Sequence, residues 1–231
     1  LVIGNIPPKK EERVKHYNVV IAVPGANFLQ ETIVSLMKTA ERLQEEGITF
    51  KFVNGYSSIV SEAREITLLD GGQLNYEDTV PFGGKFTYDK LFWIDSDMLW
   101  TPQYFIDLYN SDKDAIAGVF VNTKMEPMFF FDNKKDEARK LEFLKKTKPF
   151  KVLSFGMAFV CMKQGIIESI DRPWFEFGAM IKTTESGKEY REIVGEDLMF
   201  CMKMNDAGFE LYVDPNVRIG HMKIRALGIS K

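Results

Sequence analysis

Lys90-Leu91-Phe92-Trp93-Ile94-Asp95-Ser96-Asp97-Met98 decides how the rest of this 231-residue chain is read. Four apolar residues in a row stop abruptly at two carboxylates spaced one apart, which predicts a buried strand that delivers acids to its own end. Residues i and i+2 of a strand share a face, so Asp95 and Asp97 are expected to look toward one ligand and Ser96 away from it. Two carboxylates at the mouth of an apolar strand repel and resist burial unless something positive lies between them. The stretch therefore predicts a divalent-cation site.

Upstream, Asn18-Val19-Val20-Ile21-Ala22-Val23 is a continuous apolar run, the pattern of a parallel strand covered on both faces. Pro24-Gly25 turns the chain. Asn27 is the expected N-cap of a helix with an apolar face of Leu29, Ile33, Leu36, Met37, Ala40 and Leu43, stopped by Gly47. Ile48 to Val53 is the next strand, so the order is strand, helix, strand, the crossover unit of an open α/β sheet. A second helix is predicted from Ser57 or Ser58 to about Leu69, with Ile59, Ala63 and Ile66 inward and Ser57, Ser61 and Arg64 on its polar side. Residues 1–17 read as a surface lead-in and Gly71 to Thr87 as a loop.

Downstream, Thr101-Pro102 is a cap and first turn for a helix through Tyr109, and Ala115 to Val121 is a strand. Pro127 to Phe131 is a candidate strand, and Lys134 to Lys148 is a charge-dense helical stretch or solvated loop. Phe150 to Met162 is β-rich around Gly156, and an isolated glycine in a strand marks a bulge or a close backbone approach. Gln164 to Ile170 is a short helix. Arg172 to Gly178 is an aromatic cluster, either core or a sugar platform, and Gly187 to Val194 reads as flexible. Gly195-Glu196-Asp197 opens a helix with Leu198, Cys201 and Met202 inward and Gly208 as its stop. Both acids then lie in the first turn, where the helix dipole favours negative charge. Phe209 to Val213 is a strand, and Arg218 to Lys223, with His221, closes the ordered part.

Composition removes several classes. Apolar residues at 45% and charged residues at 27% are ordinary for a globular domain. A formal net charge of −3 gives no electrostatic footprint for nucleic acid. No apolar run approaches the roughly 20 residues of a membrane-spanning helix, and no signal peptide is recognisable, so a soluble cytoplasmic protein is expected, with peripheral membrane association left open. Cys161 and Cys201 sit in apolar segments away from any metal-ligand spacing and are expected to be buried thiols. The chain opens on Leu1 rather than Met, which is compatible with a piece of a longer protein.

In combination, the marks resemble the GT-A fold glycosyltransferases, which use nucleotide sugars, and most closely glycosyltransferase family 2. The resemblance runs from about Asn18 to Met222. It rests on Asp95-Ser96-Asp97, the glycine-containing Phe155-Gly156-Met157-Ala158, Gly195-Glu196-Asp197 and His221, in that order. It implies an α/β, Rossmann-like GT-A single domain over 18–231, with a mostly parallel central sheet flanked by helices and a mixed acceptor-side part. Residues 18–121 would form the nucleotide-sugar half and 122–231 the acceptor and catalytic half.

By the same resemblance, Asp95, Asp97 and His221 would hold Mn²⁺ (or Mg²⁺), and Asp197 would be the general base. Glu196, Gly156 and Trp174 would meet the acceptor. Val23, Pro24, Gly25, Asn27, Arg64, Asp95 and Ser96 would meet the donor. An imidazole ligand favours Mn²⁺ over Mg²⁺. The implied activity is an inverting transfer from a nucleoside-diphosphate sugar, UDP favoured on the frequency of such donors, to a glycan or glycolipid hydroxyl. The sequence departs from the family at Pro24-Gly25-Ala26-Asn27, at the non-acidic end Val53-Asn54-Gly55, and at Glu65, which replaces the asparagine of an Ala-Arg-Asn element. These departures leave the base unassigned. A non-catalytic sugar-nucleotide or carbohydrate binding module on the same fold is the alternative. A phosphohydrolase is disfavoured because the acidic strand is not the first, and a sugar nucleotidyltransferase because the first strand lacks a glycine-rich, arginine-containing loop.

Overall fold

The computed structural model describes residues 14–70, 80–131, 142–184 and 186–223. Its frame is a seven-stranded sheet of order β2-β1-β3-β9-β5-β12-β7. The strands are β1 (Lys15–Ala22), β2 (Phe50–Val53), β3 (Phe86–Ile94), β5 (Ala115–Val119), β7 (Phe150–Val152), β9 (Phe159–Lys163) and β12 (Leu211–Arg218). Pairings of β1 with β2 and β3, and of β12 with β5, are parallel. β9 runs antiparallel between β3 and β5, and β7 antiparallel beside β12. The sheet is thus mostly parallel, with two reversed strands from the C-terminal half.

The apolar runs are continuous because both faces of the sheet are covered. Val19, Ile21, Phe92 and Ile94 face one core with Leu43, Phe105 and Leu108. Val20, Ala22, Leu91 and Trp93 face the other with Leu68, Trp174, Phe200 and Cys201. Helices α1 (Gln30–Glu45) and α3 (Pro102–Tyr109) supply the first cover, and α2 (Val60–Leu68) and α4 (Glu196–Asp206) the second. Each fully buried large side chain of this kind stabilises the fold by about 1.5–3 kcal/mol.

Three helices turn a different face inward than expected, α2 among them, with Ser61, Arg64, Glu65 and Thr67 buried and Ile59 46% exposed. On α1 the buried residues are Thr32, Ser35, Thr39 and Leu43, whereas Ile33 is 44% and Met37 61% exposed. Directional hydrogen bonds explain it: the Thr32 hydroxyl donates to the Met98 carbonyl at 2.8 Å, and Trp100 Nε1 donates to Thr39 Oγ1 at 2.9 Å. On α4 the inward residues are Glu196, Phe200, Cys201 and Met204 in place of Leu198, Cys201 and Met202. The expected caps Asn27 and Ser57 or Ser58 also shift, since the caps of α1 and α2 are Leu29 and Ile59.

The remaining strands are short. β4 (Met98–Leu99) pairs antiparallel with β13 (Gly220–His221), and β6 (Phe129–Phe130) with β8 (Ser154–Phe155). β10 (Gly178–Thr183) and β11 (Glu189–Val194) form a hairpin where flexible chain was expected. Gly187, at φ 81°, closes it with its N–H on the Thr184 carbonyl. β1 takes in the last three residues of the supposed lead-in, β3 starts within the supposed loop, and most of the charge-dense Lys134 to Lys148 stretch lies outside the described residues. Among the described residues no helix is long and apolar enough to cross a membrane.

Candidate active site

β3 ends at Ile94, and Asp95-Ser96-Asp97 forms a turn closed by the Met98 N–H on the Asp95 carbonyl at 3.3 Å. Strand alternation therefore does not orient the acids, a correction to the expected geometry. The Asp95 N–H bonds the Ala158 carbonyl at 2.9 Å, and each carboxylate takes its own partners. Asp95 turns to Arg64, and Asp97 to His221 and Lys223.

Arg64 is the hub of the first group. Its side chain is 2% exposed and reaches Asp95 at 3.3 Å, Asp197 at 3.2 Å and Glu196 at 3.6 Å. Its guanidinium lies 5.5 Å from the Trp93 ring centroid, within cation–π range. Burial works against the Arg64 charge, yet Asp95, Asp197 and Glu196 together hold its pKa above the ordinary value. The polar side of α2 faces inward because these acids wait there. Glu65, the next residue, accepts from Arg172 Nε and Nη2 at 3.0 and 2.9 Å and from the Phe175 N–H at 2.7 Å. The replacement of asparagine by Glu65 is thus answered by Arg172, a link sequence reasoning missed.

Three carboxylates around one cation leave excess negative charge. Burial pushes the Asp95 pKa up, partly offset by Arg64, with Asp197 and Asp97 adding to the rise. Burial likewise raises Asp197, offset by Arg64 and increased by Glu196. Asp197 Oδ2 accepts the Met157 N–H at 3.1 Å, while Asp197 Oδ1 and Arg64 Nε and Nη1 are buried without hydrogen-bond partners. Asp197 Oδ1 and Arg64 Nε stay in ion-pair contact at 3.2 and 3.6 Å, so the cluster is charge-paired but incompletely hydrogen-bonded, an arrangement frequent at functional sites.

The second group tests whether the residues fit a metal. His221 Nδ1 lies 2.8 Å from the Val121 carbonyl, which can only accept, so this nitrogen carries the proton. In the neutral ring Nε2 is then a lone-pair donor, and it points at Asp97 Oδ2 from 3.3 Å. A proton on Nε2 or a cation bound to both atoms would each satisfy this pair, and carbonyl-fixed imidazoles of this kind are a common metal-ligating form. Lys223 supplies positive charge there, with Nζ 2.7 Å from the same Oδ2. Among the described residues no three His, Cys, Asp or Glu side chains converge as a closed metal cage. What the described residues bring together here is the Asp97–His221 pair, with Lys223 on the same carboxylate.

The expected donor-side residues sort unevenly. The Gly25 N–H bonds the Gly55 carbonyl at 2.9 Å, and Asn54 Nδ2 donates to the carbonyls of Val23 at 2.6 Å and Gly25 at 2.9 Å. Gly25 sits at φ 138°, where an added Cβ would lie 2.9 Å from Ser96 Oγ. Pro24 to Asn27 and Ser96 are therefore brought together at the ends of β1 and β3, the edge where open α/β sheets bind ligands. Val23 is a correction: it is fully buried, with its N–H on the Val53 carbonyl and its own carbonyl on Asn54, so no ligand can reach it. Asn54, passed over as a mere departure, is the clamp of this turn.

Of the residues expected to meet an acceptor or act as base, Gly156, Glu196 and Asp197 line one cavity of about 200 Å³ together with Met128, Phe130 and Leu198. The glycine has a packing reason as well, since a Cβ there would lie 2.6 Å from the Phe120 ring. Trp174 is the second correction: it is 0% exposed, its Nε1 donates to the Ile167 carbonyl at 3.1 Å, and it forms core and not a sugar platform.

No family model matches the chain, and no curated protein sequence matches it. Solved structures do. A197 from STIV shares 15% identity over 93% of this chain and 98% of its own, at a TM-score of 0.50. GalNAc-T7 with UDP, GalNAc and Mn²⁺ shares 11% over 91% of this chain and 44% of its own, also at 0.50. The catalytic domain of Drosophila beta1,4galactosyltransferase 7 in complex with xylobiose shares 12% over 92% and 72%, at 0.49. At these identities the likeness is one of fold: a mixed α/β, GT-A arrangement with its mostly parallel sheet flanked by helices.

Proposed function

We propose that residues 18–231 form one metal-dependent, inverting glycosyltransferase domain nearest to family 2, taking a UDP-sugar as donor and a glycan or glycolipid hydroxyl as acceptor. The observation that carries this is the convergence of Asp95, Glu196 and Asp197 on buried Arg64, beside the Asp97–His221 pair, at the ends of the parallel strands. The likeness in fold to GalNAc-T7, solved with UDP, GalNAc and Mn²⁺, gives support of a coarser kind.

Asp97 and His221 would hold Mn²⁺ in preference to Mg²⁺, which would neutralise charge gathering on the leaving diphosphate. The turn Pro24 to Asn27 and Ser96 bound the donor side. Arg64 keeps Asp95 and Asp197 apart and fixed. Asp197, its carboxylate raised by burial, is the base that takes the acceptor proton. Gly156 and Glu196 shape the cavity beside it.

The test is thermal melting of the full chain with UDP and Mn²⁺, with UDP and chelator, and in Asp97→Ala. A rise that needs both ligands and vanishes in the variant supports the metal role; UDP binding equally well in chelator refutes it. Transfer is then tested by hydrolysis across UDP- and GDP-sugars. Asp197→Asn should abolish turnover and spare UDP binding. A wild type that binds UDP but turns over no donor leaves the binding-module alternative, which Asp197 Oδ1, held in an ion pair with Arg64, also suits.

A further inference from the structure

Lys223 belongs to none of the roles above, yet it makes a short ionic contact in the site. Its Nζ lies 2.7 Å from Asp97 Oδ2, the oxygen that His221 Nε2 approaches to 3.3 Å. Backbone geometry holds it there. β13 pairs with β4, and the Met222 N–H bonds the Asp97 carbonyl at 2.9 Å, so residues 220–222 are tied to the acidic turn on both sides of His221. The lysine side chain itself is 43% exposed and has a long, flexible stem that can leave without disturbing that pairing.

We propose that Lys223 is the built-in counter-ion of the Asp97–His221 site, and that a divalent cation binds only by displacing it. The inference rests on the metal reading given above. The reason is electrostatic: a cation bonded to Asp97 Oδ2 and His221 Nε2 would compete for the same oxygen that the ammonium now neutralises. Two positive charges held on one oxygen at contact distance repel, which favours release of the ammonium when the cation binds. Lys223 neutralises Asp97 while the site waits, and metal binding becomes a substitution of one cation for another.

Two measurements on the full chain test this. Mn²⁺ binding, followed by electron paramagnetic resonance without nucleotide, should be about 2- to 5-fold tighter in Lys223→Met, the worth of a partly exposed ion pair. Lys223→Arg, which keeps the charge, should stay near wild type. Amine labelling read by mass spectrometry should show Lys223 shielded in the wild type and exposed as Mn²⁺ is added, with the same midpoint as the resonance titration. Asp97→Asn should show Lys223 exposed throughout. If Mn²⁺ binds but its affinity is unchanged or weaker in Lys223→Met, or Lys223 labelling ignores Mn²⁺, the displacement is wrong and the metal role stands. If no variant and no wild type binds Mn²⁺ saturably, the metal role itself falls, and this inference with it.

Discussion

Replacing Arg64 by methionine removes the one cation that faces three carboxylates and leaves the apolar contact with Trp93 largely in place. Withdrawing one partner from a buried ion pair costs about 3–5 kcal/mol. Asp95 and Asp197 are about a third exposed, at 31% and 32%, which screens part of the exposed charge. The expected loss is therefore near the lower end, about 3 kcal/mol in urea unfolding at about pH 7. The pH dependence identifies the cause. Asp95 and Asp197 already titrate above 3.8 in the folded protein, so the native state keeps protons that the unfolded chain has released. Their contribution to stability is best at low pH and is lost as pH rises through the raised folded values. Without Arg64 those values climb further, so the deficit of the variant should be fully developed near neutrality and shrink toward the ordinary carboxylate range. Equilibrium unfolding of both proteins at about pH 7 and about pH 4.5 measures it. A deficit below about 1 kcal/mol that is equal at both pH values would refute the hub role of Arg64.

Other outcomes follow from single contacts. Glu65→Gln removes the carboxylate that accepts two hydrogen bonds from the buried Arg172 guanidinium, and should cost about 1.5–3 kcal/mol in the same assay. Gly156→Ala drives a methyl to 2.6 Å from the Phe120 ring; a loss of about 1–3 kcal/mol is expected, and Phe120→Leu in the same chain should recover part of it. Burial pushes the Cys161 and Cys201 thiols up to about 12. A thiol reagent at mildly alkaline pH should therefore label neither in the native protein and both in urea, as counted by mass spectrometry.

The strand-helix-strand order at the start, the strand ending in acids and the Glu196-Asp197 helix start were legible because each depends on local pattern. Continuous apolar runs named the two-sided strands, and both sides are indeed covered. What escaped depends on partners far away in sequence. Threonine and serine face inward on α1 because Met98 and Trp100 present a carbonyl and an indole N–H, which no periodicity of apolar residues on α1 reveals. The Glu65–Arg172 pair spans 107 positions and was visible only as an unexplained departure. Trp174 carries the same letters whether it lines a platform or a core.

One peptide segment, Met157-Ala158, touches both ends of the acidic cluster. The Ala158 carbonyl takes the Asp95 N–H, and the Met157 N–H binds the Asp197 carboxylate. These two contacts act as the jaws of a caliper: the gap between an acid that follows β3 and an acid that opens α4 is set by the width of a single strand entry. Because β9 begins immediately afterwards, at Phe159, any repacking that slides β9 between β3 and β5 shifts both jaws together. The spacing of the two aspartates is thereby insulated from looseness in the long stretches of chain that separate them.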